Sequence, residues 1–310
     1  MSGRVCRLFM LAAAMLLTSS CATLSGYGVG RIKRYEVQHA QLPEQFDGYR
    51  VAFISDLHYK SLFTEKRLSE LVNELQQIAP DVLLLGGDYI ASDGDAYELF
   101  SSISSVKTAD GIYAVLGNHE RNNAGLVADA MWRNGVVLLA DDTVRVERGD
   151  AAIYLVGIAD SFSYDSTRVQ PVEWVPDSLF TLLLCHTPDY AERSGTTADL
   201  VLSGHTHGGQ VSLLGIYTPV RNSVYGSKFL RGRNKTSQGV TVITTNGVGT
   251  SRRKVRFCVP SEVVVVTLRR KEELGRLLKS FCFFTFFISF VAILAHRKFC
   301  FVYGKIFADR

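Results

Sequence analysis

Aspartate, histidine and asparagine, which bind metal ions and move protons, recur in five short clusters along this chain. Ser55-Asp56-Leu57-His58 sets a carboxylate two residues from an imidazole, and Gly86-Gly87-Asp88 sets one carboxylate behind two glycines. Gly117-Asn118-His119-Glu120 joins an amide, an imidazole and a second carboxylate. His186 stands alone after an apolar run, and Gly204-His205-Thr206-His207-Gly208-Gly209 flanks two imidazoles with glycine. Carboxylate, imidazole and amide form a mixed oxygen and nitrogen donor set, which suits Mn, Fe, Zn or Co. It lacks the thiolates of a structural zinc site. Glycines beside the donors let the chain turn sharply and let a phosphate come close. An isolated Asp-x-His carries little information, and a lone histidine at a strand end is usually structural. Two histidines among glycines have little packing value, and five such pieces in order exclude coincidence.

The elements around these clusters explain why they could meet. Arg50 to Ser55 reads as a buried strand. Thr64 to Ala79 reads as a helix, because Leu68, Leu71, Val72, Leu75 and Ile78 recur at helical spacing. Thr64 is suited to cap its start, and Pro80 stops it. Asp81 to Gly86 and Gly111 to Leu116 read as strands, and Asp95 to Val106 and Leu126 to Asn134 as helices, the last with Gly135 at its C-terminal cap. Thr143 to Glu147 and Ala152 to Ile158 flank Gly149-Asp150 and read as a hairpin. Leu179 to Leu184, Asp199 to Leu202, Val240 to Thr244 and Glu262 to Leu268 are further strands. Each donor cluster follows a strand, and ligand sites in α/β sheets gather at the carboxyl ends of strands. Residues i and i+2 of a strand share a face, so Asp-x-His and His-x-His would each aim two donors at one point. Strand–helix alternation followed by many strands argues for two packed sheets with helices outside. Leu213 to Gln238 has little periodicity, and a long loop in a compact domain is often functional.

The ordered set Asp-x-His, Gly-Asp, Gly-Asn-His-Glu, single His and Gly-His-x-His resembles that of the calcineurin-like metallophosphoesterases, over roughly Tyr35 to Leu268. It is most similar to a bacterial branch of membrane-associated phosphodiesterases and UDP-2,3-diacylglucosamine pyrophosphatases. The features shared with that branch are Ser55 to His58, Gly204 to Gln210, and Gly247-Val248-Gly249-Thr250-Ser251 followed by Arg256-Phe257. The resemblance implies an α/β fold, a four-layer αββα sandwich, and a hydrolase of phosphodiester or pyrophosphate bonds acting through two divalent metal ions, Mn first among them. It assigns Asp56, His58 and His207 to one metal and Asn118, His186 and His205 to the other, with Asp88 bridging. His119 would bind no metal but would contact the phosphate and protonate the leaving oxygen. Histidine as a residue type titrates near neutrality, which suits that task. In such enzymes two cations activate a water for attack on phosphorus and offset charge on its oxygens. The chain departs from the branch at Asn246, where an arginine commonly precedes the late Gly-x-Gly. Glu120 is read either as orienting His119 or as a solvated surface residue. The basic run Arg252, Arg253, Lys254 and Arg256 is read either as a contact for an anionic lipid or diphosphate, with Arg252 and Arg253 substrate-binding, or as a solvated loop. Tyr217, Tyr225 and Phe229 either line a lipid groove or pack the loop.

The 310 residues divide into a targeting or anchor segment over 1–30, a catalytic domain over 31–270 and an apolar tail over 271–310. At 47% apolar and 21% charged, the chain has the makings of an ordinary core. A net charge of +4 gives no ground for expecting nucleic acid. None of the six cysteines forms a CxxC pair, so neither a disulfide framework nor a structural zinc site is expected. Arg4 and Arg7, the apolar run Leu8 to Leu17 and Thr18-Ser19-Ser20-Cys21 match an export signal ending at a lipobox-like cysteine; an uncleaved anchor is the other reading. Phe281 to Ala295 is apolar between Lys279 and Arg297-Lys298, which favours membrane contact over a core helix. The expected location is therefore at a membrane, with the side open. A diacylated nucleotide substrate places the domain inside, whereas a cleaved lipoprotein places it outside. The rival to catalysis is a silent metal-binding surface lipoprotein, against which stands the presence of His119 with all seven donors.

Overall fold

The computed structural model describes residues 29–91, 96–163, 170–213, 215, 217–251 and 255–271. Both terminal apolar segments and residues 252–254, with the substrate-binding assignments to Arg252 and Arg253, lie outside the described residues. Twelve strands form two six-stranded sheets. The first has the order β1 (Arg31–His39), β12 (Glu262–Arg270), β2 (Arg50–Ile54), β3 (Val82–Leu85), β4 (Ile112–Ala114) and β5 (Val137–Leu138). The second has the order β10 (Gly232–Lys235), β11 (Thr241–Thr244), β9 (Leu200–Ser203), β8 (Thr181–Leu184), β7 (Ala151–Gly157) and β6 (Asp142–Arg148). Strands β2 to β5 run parallel, as do β7, β8, β9 and β11.

Alternation along the strands sets the layers. Val51 and Phe53 of β2, with Val82 and Leu84 of β3, meet Leu182, Leu184, Leu200 and Leu202 of the second sheet in the central core. Ala52 and Ile54 point the other way, with Leu83 and Leu85, against the helices α1 (Glu65–Ile78), α2 (Ala96–Ile103) and α3 (Ala124–Arg133). On the far face of the second sheet, Leu183, Val201 and Val242 pack against Tyr190 and Ala191 of the short α4 (Asp189–Arg193) and against Phe229. The result is the expected four-layer αββα order.

Local chemistry sets the element ends. The Thr64 side chain accepts from the Arg67 amide at the start of α1, and Ala79 closes that helix in the left-handed conformation before Pro80. Gly149-Asp150 turns β6 into β7 as expected. Strands β1, β5 and β10 were not foreseen. The nine residues of β1 are mostly exposed and rich in charge, and they are held by parallel pairing with β12, whose Val263 to Val266 are buried. Among the described residues no helix is long and apolar enough to cross a membrane.

Candidate metal centre

The donor clusters converge where the parallel strands of both sheets end. Asp56 and His58 follow β2, Asp88 follows β3, and Asn118 and His119 follow β4. His186 follows β8, and His205 and His207 follow β9. Donor atoms of Asp56, His58, Asp88 and His207 lie within 4.8 Å of one another, and so do those of Asp88, His186 and His205. Asp88 belongs to both sets. His207 Nε2 is 3.3 Å from Asp56 Oδ1 and 3.2 Å from His58 Nε2. His186 Nε2 is 3.4 Å from Asp88 Oδ2.

This arrangement strains the backbone. Of eleven non-glycine residues with positive φ among the described residues, five are Asp56, His58, Asp88, His205 and His207. Such conformations cost about 1–3 kcal/mol each and persist only where neighbours enforce them. The enforcement here is mutual. The Asp56 amide donates to the Gly87 carbonyl, the His58 amide to the Asp88 carbonyl and the His205 amide to the Asp56 carboxylate. Two glycines make the approach feasible: a Cβ on Gly117 would overlap the Asp88 carboxylate, and one on Gly204 the Asp56 carboxylate.

Glu120 neither orients His119 nor faces water. It is fully buried and accepts from the amides of Asp88 (2.9 Å), Tyr89 (2.8 Å) and Gly117 (2.8 Å). The Gly117-x-x-Glu120 spacing, that of a helix-start carboxylate, was the available signal. Arg256 is likewise no part of a solvated run. Its guanidinium is 1% exposed and donates to the carbonyls of Asn246, Gly247, Gly249, Val259 and His207, and it faces His207 Nδ1 at 3.4 Å. Asn246 turns its amide to Pro260 and Glu262. Phe229 is core, with Tyr225 packed edge-on against it, whereas Tyr217 is exposed. Phe162, which no pattern in the sequence singled out, packs edge-on to His205 at 4.7 Å and walls the second donor set.

Burial and proximity polarise the centre. Burial pushes the Asp56 carboxyl up to about 6 and His58 down to about 4, and it holds His207 well below the histidine range. Burial alone would raise Asp88 as well, but His186, His58 and His119 hold it well below the usual carboxylate range. Burial works against charge on His186, yet the Asp88 and Asp56 carboxylates push it up to about 10. Asn118 Oδ1 is buried without a hydrogen-bond partner, and His186 Nε2 has only the Asp88 carboxylate at 3.4 Å. An orphaned acceptor beside two buried carboxylates fits divalent cations. Of the eight candidate residues only His119 is exposed, with 43% of its side chain accessible. Its amide donates to Asp88 Oδ1 at 3.0 Å, and its ring packs edge-on to His58 at 4.7 Å.

The family model for calcineurin-like phosphoesterases matches residues 49–209. An uncharacterised metallophosphoesterase of Bacillus subtilis, YkuE, is 28% identical over 268 residues, covering 79% of this chain and 90% of that one. The phosphodiesterase YaeI of Escherichia coli is 27% identical, covering 74% of this chain and 88% of its own length. Among solved structures, phosphopantetheinyl hydrolase of Mycobacterium tuberculosis aligns with a TM-score of 0.40 at 12% identity, over 65% of this chain and 91% of that one.

Proposed function

The chain belongs to the calcineurin-like phosphoesterase family and is a hydrolase, and on that premise we propose that it cleaves phosphodiester or pyrophosphate bonds at the centre around Asp88. The observation that carries this reading is the sharing of Asp88 by two donor sets, with His119 exposed beside them. In this assignment Asp56, His58 and His207 hold one divalent cation. Asn118, His186 and His205 hold the other, and Asp88 serves both. Bound there, the two cations supply Lewis-acid polarisation of a phosphoryl oxygen and a water of lowered pKa. Mn is the expected ion, with Fe, Zn and Co as alternatives for the same donors.

The chain's own residues do the rest. Burial of Asp56 and Asp88 removes bulk water from the donors, so their charges act at short range with little screening. The left-handed backbone at five donors fixes their directions before substrate arrives. His119 is anchored by its amide while its ring stays accessible, so the imidazole reaches a leaving-group oxygen and delivers a proton to it. Phe162 limits solvent at the second donor set. The name of the Escherichia coli relative, a phosphodiesterase, supports a diester over a monoester. Arg252 and Arg253 are proposed to bind an anionic part of the substrate. A lipid-linked nucleotide such as UDP-2,3-diacylglucosamine is the candidate if the domain is anchored at a membrane through its N-terminus with the site inside.

The test is hydrolysis by the full chain of a p-nitrophenyl phosphodiester, its monoester and UDP-2,3-diacylglucosamine, with added Mn, Fe, Zn or Co. Metal-dependent turnover with the diester preferred supports the proposal, and preference for the nucleotide lipid specifies it. A strong preference for the monoester would overturn it.

A further inference from the structure

Between Asp199 and Glu262 the sequence has no aspartate or glutamate and nine lysines and arginines, in a chain whose net charge is only +4. The rest of the chain is therefore net negative, and the positive charge is confined to one stretch. Of these cations Arg256 is buried, and Lys228 is paired with Glu192 at 2.8 Å. Arg221, Arg233 and Lys235 are exposed and Arg231 half-buried, with no carboxylate at ion-pair distance among the described residues. Arg233 lies over the Tyr35 ring and donates to the Glu36 carbonyl of β1, whereas Arg231 donates to the Gly215 carbonyl beside Tyr217.

The same stretch exposes apolar surface. Eight large apolar side chains are exposed among the described residues, and four of them, Leu213, Tyr217, Val220 and Val224, fall within twelve residues. Val224 is 79% exposed. Grouped apolar exposure of this kind marks an interaction surface. It adjoins the metal centre: Val211, Pro219, Val220 and Val255 line a cleft of about 320 Å³ that reaches His207. One wall of that cleft is fixed by Gln210, which donates to the Ser251 carbonyl and accepts from the Ser251 amide.

Exposed apolar side chains beside cations that no carboxylate neutralises match one kind of partner. A nucleic acid would neutralise the cations but leave the valines in water. An anionic bilayer takes both, since the apolar groups enter the acyl boundary and the cations meet the headgroups. We propose that the surface carrying Tyr217, Val220, Arg221 and Val224, with Arg231 held at the neighbouring Gly215 turn, docks the domain onto an anionic lipid bilayer, with the cleft beside His207 facing the lipid. This docking is independent of the terminal apolar segments and of which phosphoester is cleaved.

The experiment places a tryptophan at the proposed contact in the full chain. Val224→Trp is introduced into a Trp132→Phe, Trp174→Phe background, which leaves it the only tryptophan. Emission is read with vesicles of phosphatidylglycerol and phosphatidylcholine, and of phosphatidylcholine alone, whose acyl chains carry bromine. Emission from the Val224→Trp reporter is expected to shift to the blue and to be quenched several-fold more by the anionic vesicles. Arg221→Glu with Arg231→Glu, or about 1 M NaCl, is expected to abolish that difference, because salt at that strength screens charges beyond about 3 Å. Tyr217→Trp in the same background gives a second reporter should Val224→Trp disturb the loop. Sedimentation of the chain with vesicles while both reporters ignore brominated lipid would overturn the proposal. Equal quenching in neutral vesicles, or protection of the reporters by an added oligonucleotide instead, would also overturn it.

Discussion

Glu120 grips Asp88 by its backbone: the Asp88 amide donates to Glu120 Oε2 at 2.9 Å, and the Asp88 carboxylate is left to face the donors and the His119 amide. One buried carboxylate thus ties the end of β3 to the turn after β4. Glu120→Gln puts an amide N–H₂ where three N–H groups need an acceptor. An unsatisfied buried donor costs about 1–3 kcal/mol. The variant is expected to melt several degrees lower and to bind metal more weakly, with His119 intact. Calorimetry and metal titration check this, and unchanged values in both would show the clamp to be incidental.

Arg256 makes the matching prediction on the other sheet. Its fork draws the loop after β11 onto His207 through five carbonyls. Burial pulls the guanidinium down to about 10, still charged at neutrality. Arg256→Met strands those carbonyls, and Arg256→Lys cannot reproduce the planar geometry. Both are expected to lose about 3 kcal/mol or more in urea unfolding. A mere surface contact for an anionic ligand would instead leave stability unchanged.

Metal-free protein carries a pH signature. His186 is pushed up to about 10 when folded, against about 6.5 for an unfolded histidine. Its contribution to stability is full below about 6.5 and is lost as pH rises towards about 10. Asp88, depressed when folded, contributes above the ordinary aspartate range and loses that contribution as pH falls. A cation needs the imidazole deprotonated, so loading should release a proton and remove the alkaline loss. Urea melts at about pH 6 and about pH 8.5, with and without Mn, are expected to show a fall only in the metal-free protein. His186→Gln should abolish that fall, and a fall of equal size in the variant would assign it elsewhere.

The clustering of the candidate donors was legible because metal chemistry restricts residue types and strand ends restrict placement. Asp56, His58, Asp88, His186, His205 and His207 could be named from four of the five short clusters, and the structure brings them within ligand reach of one another. Helix α1 was legible from its apolar spacing and its Thr64 cap. What failed to show was long-range satisfaction of polar groups. Arg256 looks like its neighbours Arg252 and Arg253 in sequence, and only carbonyls gathered from distant turns make its burial tolerable. Glu120 reads either as a partner of His119 or as a solvated residue because only adjacency in sequence is visible, whereas the amides of Asp88 and Tyr89 come from the loop after another strand. Strand β1 shows apolar alternation only at Tyr35 and Val37, too short a signal, and its pairing with β12 defines it more than that small buried face does.

The most direct test compares Asp88→Asn with His119→Ala for metal content by mass spectrometry and for phosphodiester turnover. Asp88 serves both donor sets, so Asp88→Asn is expected to lose bound metal and activity together. His119→Ala is expected to keep two metals and to lose about 10²–10⁴-fold in turnover, the usual worth of a general acid. Equal metal loss in the two variants would contradict the role given to His119. Wild-type protein that is folded, carries two metals and turns over no phosphoester would contradict the account as a whole.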